Sequence, residues 1–243
     1  MGKQASEMNL LLLTEADFIS ETIVRISDER HQHVLEVLQS NPEETLKIGM
    51  VNGNIGRGII TEIDTEKFTM TVEFNSAAPP PLPLTLVVAL PRPKMIRRIL
   101  RNVAEFGIKE IYFINSYKVE KSYWQSPALA NENVQQYFLD GLAQAGDTIM
   151  PTLHLRKRFK PFAEDELPTL IDGRHALLPH PGLGEAFPLG LNQPCCVAIG
   201  PEGGFIPYEV EKLLSLGFRG FNLGTRILKV ENAISAVTAK LFS

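Results

Sequence analysis

The 243-residue chain predicts a two-part α/β protein: a small β-barrel domain, then a larger domain in which parallel strands alternate with helices. Three observations carry that expectation. Residues 77–83, Ala-Ala-Pro-Pro-Pro-Leu-Pro, form a stiff, extended hinge. Before the hinge, short β-like segments crowd around one helical stretch. After it, strand-like and helix-like segments alternate, the pattern of a parallel sheet covered by helices and open to ligands at its carboxyl edge.

Within residues 1–76, Asn9–Leu13, Thr45–Val51, Arg57–Ile63 and Phe68–Phe74 read as strands. Asn52-Gly53 is a hairpin signal, because both residues tolerate positive φ. One helix starts after Ser27 as its cap, with His31, Val34, Leu35 and Leu38 on the apolar face. Short strands around one helix suit a small barrel.

Beyond the hinge, strands are expected at Leu84–Leu90, Glu110–Asn115, Thr152–Leu155, His175–Pro179, Pro194–Ile199 and Phe218–Leu223. Helices fall at Lys94–Phe106, Glu132–Ala145, Pro207–Leu216 and Leu228–Phe242. In the last of these, Val230, Ala233, Ile234, Val237 and Leu241 make one apolar stripe, open to use as a dimer seam or against the chain's own sheet.

Two strand ends carry ligand-loop grammar. The apolar run ending at Ile199 opens into Gly200-Pro201-Glu202-Gly203-Gly204-Phe205, and the strand ending at Leu223 opens into Gly224-Thr225-Arg226-Ile227-Leu228. Bare glycines let a ligand lie against backbone amides. The alternative is a plain chain reversal. Neither loop is a Gly-x-Gly-x-x-Gly fingerprint, and no Lys-Ser or Lys-Thr follows, which disfavours a doubly wound oxidoreductase or a P-loop.

Charge is unevenly spread. The net charge of −4 hides a change of sign: residues 1–76 hold 6 basic against 13 acidic residues, and the remainder holds 18 against 15. Lys94, Arg97, Arg98 and Arg101 recur at helical spacing on one face, with Arg92 just ahead of them. Clustered like charge suits an anionic backbone such as RNA, the alternative being a solvated helix face opposite Ile96, Ile99, Leu100 and Val103. A second cluster, Arg156-Lys157-Arg158-Phe159-Lys160, offers an aromatic for stacking or a plain basic loop.

Cys195 and Cys196 are adjacent in an apolar run, which reads as buried thiols of a reducing compartment. His31 and His33 lack further ligands at useful spacing, so no metal is expected. No apolar stretch approaches the roughly 20 residues that span a bilayer. Met1–Glu7 lacks the apolar core of a signal peptide, so the expected compartment is the cytoplasm, with no membrane partner.

The paired motifs GPEGGF and LGTRILKVENA resemble the C-terminal signature of the RsmE-type 16S rRNA (uridine-N3)-methyltransferases of the SPOUT superfamily. Met8–Leu13, the segment His31-Gln32-His33-Val34-Leu35, and the stretch from Pro91 to Gln125 extend the resemblance over almost the whole chain. It implies a PUA-like RNA-binding domain over 1–76, a trefoil-knotted methyltransferase domain over 84–243, and a homodimer acting on ribosomal RNA of the small subunit. It also implies S-adenosyl-L-methionine held largely by backbone groups of three loops, at Leu178, Pro179 and His180; Ile199, Gly200, Gly203 and Gly204; and Leu223, Gly224, Ile227 and Leu228, with Asn232 and Ala233 beneath.

Uridine N3 is a poor nucleophile while protonated, so the implied reaction needs a proton acceptor and positive charge near the base. Arg226 and Lys229 are the candidates for stabilising the anion, and Glu202 and Glu231 for taking the proton. Glu202 has the alternative of capping the next helix, and Glu231 of pairing with an arginine. Arg92, Lys94, Arg97, Arg98 and Arg101 are the candidate RNA contacts. Gln39 and Asp147 stand where the family commonly has arginine. These departures leave open a different target nucleotide or a non-catalytic ribosome-assembly factor. The intact glycines count against the latter.

Overall fold

A computed structural model describes residues 9–38 and 43–243. The chain divides into two compact units, residues 1–80 with 139–150, and residues 81–138 with 151–243.

The first unit is a curled, mixed six-stranded sheet. Its strands are β1 Leu11–Leu13, β2 Phe18–Ser20, β3 Ile23–Ile26, β4 Thr45–Met50, β5 Ile55–Ile63 and β6 Phe68–Ser76, in the order β1-β4-β5-β6-β3-β2. β1 pairs parallel with β4 and every other pair is antiparallel. Alternation along β4 and β5 sends Leu46, Ile48 and Ile60 into a core shared with Leu13, Val24, Ile26, Val34, Phe68 and Met70. The sequence missed β2 and β3, which flank a tight turn with no glycine, asparagine or proline to mark it.

Helix α1 spans Glu29–Leu38. Its cap is Asp28, not Ser27: the Asp28 carboxylate accepts the Arg30 amide at 3.0 Å. His31 and Val34 are buried as expected, and His31 Nε2 lies 3.0 Å from the Asp64 carbonyl. Gln39 and the side chain of Leu38 lie outside the described residues.

Residues 139–150, read from sequence as part of the α/β region, are stitched into this unit instead. The Leu10 amide donates to Ala143 O at 2.9 Å and the Asn52 amide to Thr148 O at 2.8 Å. Asp147 is 4% exposed, and its Oδ1 accepts the amides of Thr148 and Ile149. The Asp147 side chain thus closes a local turn.

The second unit is a seven-stranded parallel sheet, ordered β11-β13-β10-β12-β7-β8-β9. The strands are β7 Leu82–Ala89, β8 Ile108–Ile114, β9 Thr152–Arg156, β10 His175–Pro179, β11 Glu185–Ala186, β12 Cys195–Ile199 and β13 Arg219–Asn222. Only the two-residue β11 was unforeseen. The helices beyond the hinge are α2 Pro93–Glu105, α3 Asn131–Ala145, which passes from this unit into the first at residue 139, α4 Phe159–Pro161, α5 Leu167–Ile171, α6 Pro207–Ser215 and α7 Val230–Leu241.

Helix α2 buries Ile96, Ile99, Leu100 and Val103, leaving Lys94, Arg97 and Arg98 exposed. In α7 the whole stripe from Val230 to Leu241 is buried within the single chain. That stripe is core rather than an open dimer seam: α7 packs on β12 and beside α2 within the same chain. Cys195 and Cys196 are buried in β12, and desolvation pushes their thiols up to about 11 and about 12.

Candidate functional site

Strand β10 lies between β12 and β13, all three parallel. Their carboxyl ends therefore deliver residues 179–184, 199–205 and 222–231 to one place, where they line a cavity of about 940 Å³.

The glycines serve two different ends. Gly203 (φ 84°), Gly204 (φ 73°) and Gly224 (φ 116°) occupy the left-handed region that side chains strain to enter. A Cβ on Gly224 would point into open space. At Gly200 a Cβ would come within 2.8 Å of the Phe205 amide nitrogen. Its bareness thus serves the loop's own turn, correcting the expectation that all the glycines of this loop clear room for a ligand.

Side chains fasten these loops. Lys118 Nζ donates to Gly203 O at 2.5 Å. The His180 ring bridges the first two loops, with Nδ1 2.8 Å from Pro181 O and Nε2 3.4 Å from Phe205 O. Asn222 donates through Nδ2 to the carbonyls of Leu183, Gly184 and Glu185, and its Oδ1 accepts the Gly224 amide at 3.1 Å. Glu209, 2% exposed, accepts from Ser116 Oγ, Tyr117 N and Ile206 N.

The sequence reading passed over Lys118, Asn222 and Glu209. Two of them carried a signal. Asn222 precedes the loop glycine by two residues, the spacing of an Asx-turn, and Glu209 stands third in its helix, where a carboxylate reaches back to the amide before Pro207.

Among the expected cofactor residues, Pro179, His180, Ile199, Gly200, Gly203, Gly204, Leu223, Gly224, Ile227, Leu228 and Ala233 line the cavity. Leu178 is fully buried in β10, and the exposed Asn232 lies outside the lining. Arg226 and Lys229 line it as exposed cations, and Glu231 as a half-buried carboxylate. Glu202 does not cap α6: its Oε2 pairs with Arg92 Nη2 at 2.5 Å, and Glu209 meets the helix start instead.

Of the basic cluster, Arg92 and Lys94 reach the cavity wall, whereas Arg97, Arg98 and Arg101 do not. Phe159 in the second basic cluster is 9% exposed and packs near Phe205, so it offers no stacking face. Arg156 there pairs with Glu166 at 2.7 Å. Beside the main cavity opens a recess of about 110 Å³ whose rim includes Arg92, Lys118, Glu120, Tyr123, Glu202 and Glu231. Tyr123 donates its hydroxyl to Glu120 at 3.3 Å, and desolvation, with the Glu120 charge, raises its phenol above the ordinary value. No group of three or more potential ligands for a metal occurs among the described residues, and none of their helices is long and apolar enough to cross a membrane.

The family model for an RNA methyltransferase domain matches residues 78–241. Ribosomal RNA small subunit methyltransferase E of Treponema pallidum is 31% identical over 96% of this chain and 90% of its own length. The chain belongs to this methyltransferase family. The similarly named protein of Borreliella burgdorferi is 23% identical over 95% of this chain and 96% of its own.

Among solved structures, the small subunit methyltransferase E of Neisseria gonorrhoeae, bound to S-adenosyl methionine, superposes with a TM-score of 0.72 at 20% identity, covering 95% of this chain and 96% of that one. The family's fold is thereby in place: a PUA-like domain followed by a SPOUT-type parallel-sheet domain.

Proposed function

We propose that the protein transfers a methyl group from S-adenosyl-L-methionine to N3 of a uridine in 16S ribosomal RNA. The observation that carries this reading is the cavity walled by three strand-end loops, with positive-φ glycines at 203, 204 and 224 and a volume large enough for the cofactor. The loops that carry Gly203, Gly204, Leu223 and Gly224 would hold the cofactor through main-chain groups not already spent on Lys118, Pro201 and Asn222, and Ala233 would close its floor.

When bound, the cofactor supplies an electrophilic methyl whose bonding electrons stay with the departing sulfur. The chain's own residues prepare the nucleophile. Arg226 and Lys229, both on the cavity wall, favour the uracil anion by charge. Glu231 is the better placed of the two carboxylates to accept the N3 proton. It faces the cavity with no ion pair among the described residues, whereas Glu202 is held by Arg92. The exposed Lys94, Arg97 and Arg98 offer contacts to RNA phosphates.

A ribosomal substrate sets the working compartment as the cytoplasm. The resemblance to SPOUT enzymes supports a homodimer, whose interface would use surface other than the buried α7 stripe; light scattering would measure its mass. The deciding experiment is methyl transfer to small ribosomal subunits from cells lacking this protein, with the product nucleoside resolved by mass spectrometry. Formation of 3-methyluridine supports the reading; a different methylated nucleoside, or none, removes it.

A further inference from the structure

We propose that the recess beside the cavity is the pocket for the target pyrimidine, with Tyr123 as its stacking face and Arg92, oriented by Glu202, as the donor to the base's carbonyl edge. This rests on the methyltransferase reading above and adds to it the site that receives the RNA.

An enzyme that modifies the Watson–Crick edge of a base must take that base out of its stack and hold it in a fitted pocket. The pocket has to be small, apolar on its faces, polar at its edge, and continuous with the methyl donor's site. At about 110 Å³ the recess is of the order of one pyrimidine ring rather than a whole nucleotide. Its lining sets the buried apolar side chains Leu90, Val119 and Val230, each less than 9% exposed, beside the polar groups of Arg92, Lys118, Glu120 and Glu202. Arg92, Met95, Pro201, Glu202, Val230 and Glu231 line both the recess and the main cavity. A ring seated in the recess therefore has one edge open to the cavity, where N3 must lie.

The side chains divide the work. The Tyr123 hydroxyl is committed to Glu120, which anchors the ring and leaves its face for stacking. Arg92 spends one nitrogen on Glu202 and retains further N–H groups for a uracil oxygen, where the anion's charge gathers. Glu202 is then a positioning residue rather than the proton acceptor, and Arg92 a base contact rather than a phosphate contact. Glu231, on the wall common to both spaces, stands where the N3 proton leaves.

The test measures methyl transfer to unmethylated small subunits by the full-length Tyr123→Ala, Tyr123→Phe, Arg92→Ala and Glu202→Gln proteins, alongside calorimetric affinity for S-adenosylmethionine. Tyr123→Ala should lower kcat/KM by about 10- to 100-fold, the range that base–aromatic stacking supports, and Tyr123→Phe should restore most of it. Arg92→Ala should lower kcat, whereas Glu202→Gln should lower it less, with unchanged RNA KM. Cofactor affinity should stay within about twofold throughout, which also reports that each variant is folded. A 2-aminopurine placed next to the target uridine should brighten on binding wild type and fail to do so with Tyr123→Ala.

Wild-type turnover by both Tyr123→Ala and Arg92→Ala would overturn the pocket while leaving the methyltransferase reading intact. A wild-type protein that transfers no methyl to ribosomal RNA would overturn both.

Discussion

Glu209 should be worth more to this protein than any other single carboxylate in the second unit. Its side chain is 2% exposed and accepts three hydrogen bonds: Tyr117 N at 2.8 Å, Ser116 Oγ at 3.0 Å and Ile206 N at 3.1 Å. They tie the segment after β8 to the start of α6, immediately beyond the GPEGGF loop. Glu209→Ala orphans three donors at once. Each buried, unsatisfied donor costs about 1–3 kcal/mol. Ser116 can rotate toward another acceptor and Tyr117 N is only partly buried, so the sum should fall near 3–5 kcal/mol, at the level of a broken buried network.

For a chain of this size that is a drop of roughly 6–20 °C in Tm. Glu209→Gln should cost less, since one carbonyl oxygen remains, but its amide must face at least one of the same donors. Thermal denaturation followed by circular dichroism gives the number, and cofactor affinity measured well below Tm reports the looser glycine loop. A Glu209→Ala protein melting within about 1 °C of wild type would refute the reasoning, because three donors would then have lost their shared acceptor at no cost.

Three further outcomes are expected. Arg30 holds both carboxylate oxygens of the 8%-exposed Asp17 and donates to Leu12 O, so Arg30→Ala should destabilise the first unit by about 3–5 kcal/mol, and Arg30→Lys should rescue only part of that in urea unfolding. The Cys195 and Cys196 thiols titrate near 11 and 12 when folded against 9.0 when exposed, so the unfolded chain releases protons first; stability should fall as pH rises above about 9, and Cys195→Ala with Cys196→Ala should flatten that decline in denaturant titrations. Arg97→Ala with Arg98→Ala should weaken RNA binding and reduce its logarithmic salt slope by about 1–2, with cofactor affinity unchanged; an unaltered slope in filter binding would mark the cluster as a solvated face.

What the sequence disclosed was whatever local chemistry decides. Buried parallel strands write themselves as apolar runs, so β7, β8, β10 and β12 were legible from Leu84, Ile111, Leu177 and Val197 outward, and the loops after β12 and β13 from their glycines. What stayed hidden depends on partners distant in sequence. Nothing near Glu209 says that Ser116, 93 positions away, will bond to it. Nothing near Glu202 says that Arg92 will claim its carboxylate, and nothing near Asp147 says that its turn belongs with the first sheet.

Helix α7 shows where periodicity itself runs out. An apolar stripe at helical spacing states only that a face will be buried, and a dimer seam and a chain's own core write the same stripe. Burial within the single chain decides between them here: with Ile234, Val237 and Leu241 fully enclosed, a charge placed at any of them breaks the fold before it separates subunits. Any interface between two copies must therefore be sought among side chains that the folded chain leaves exposed.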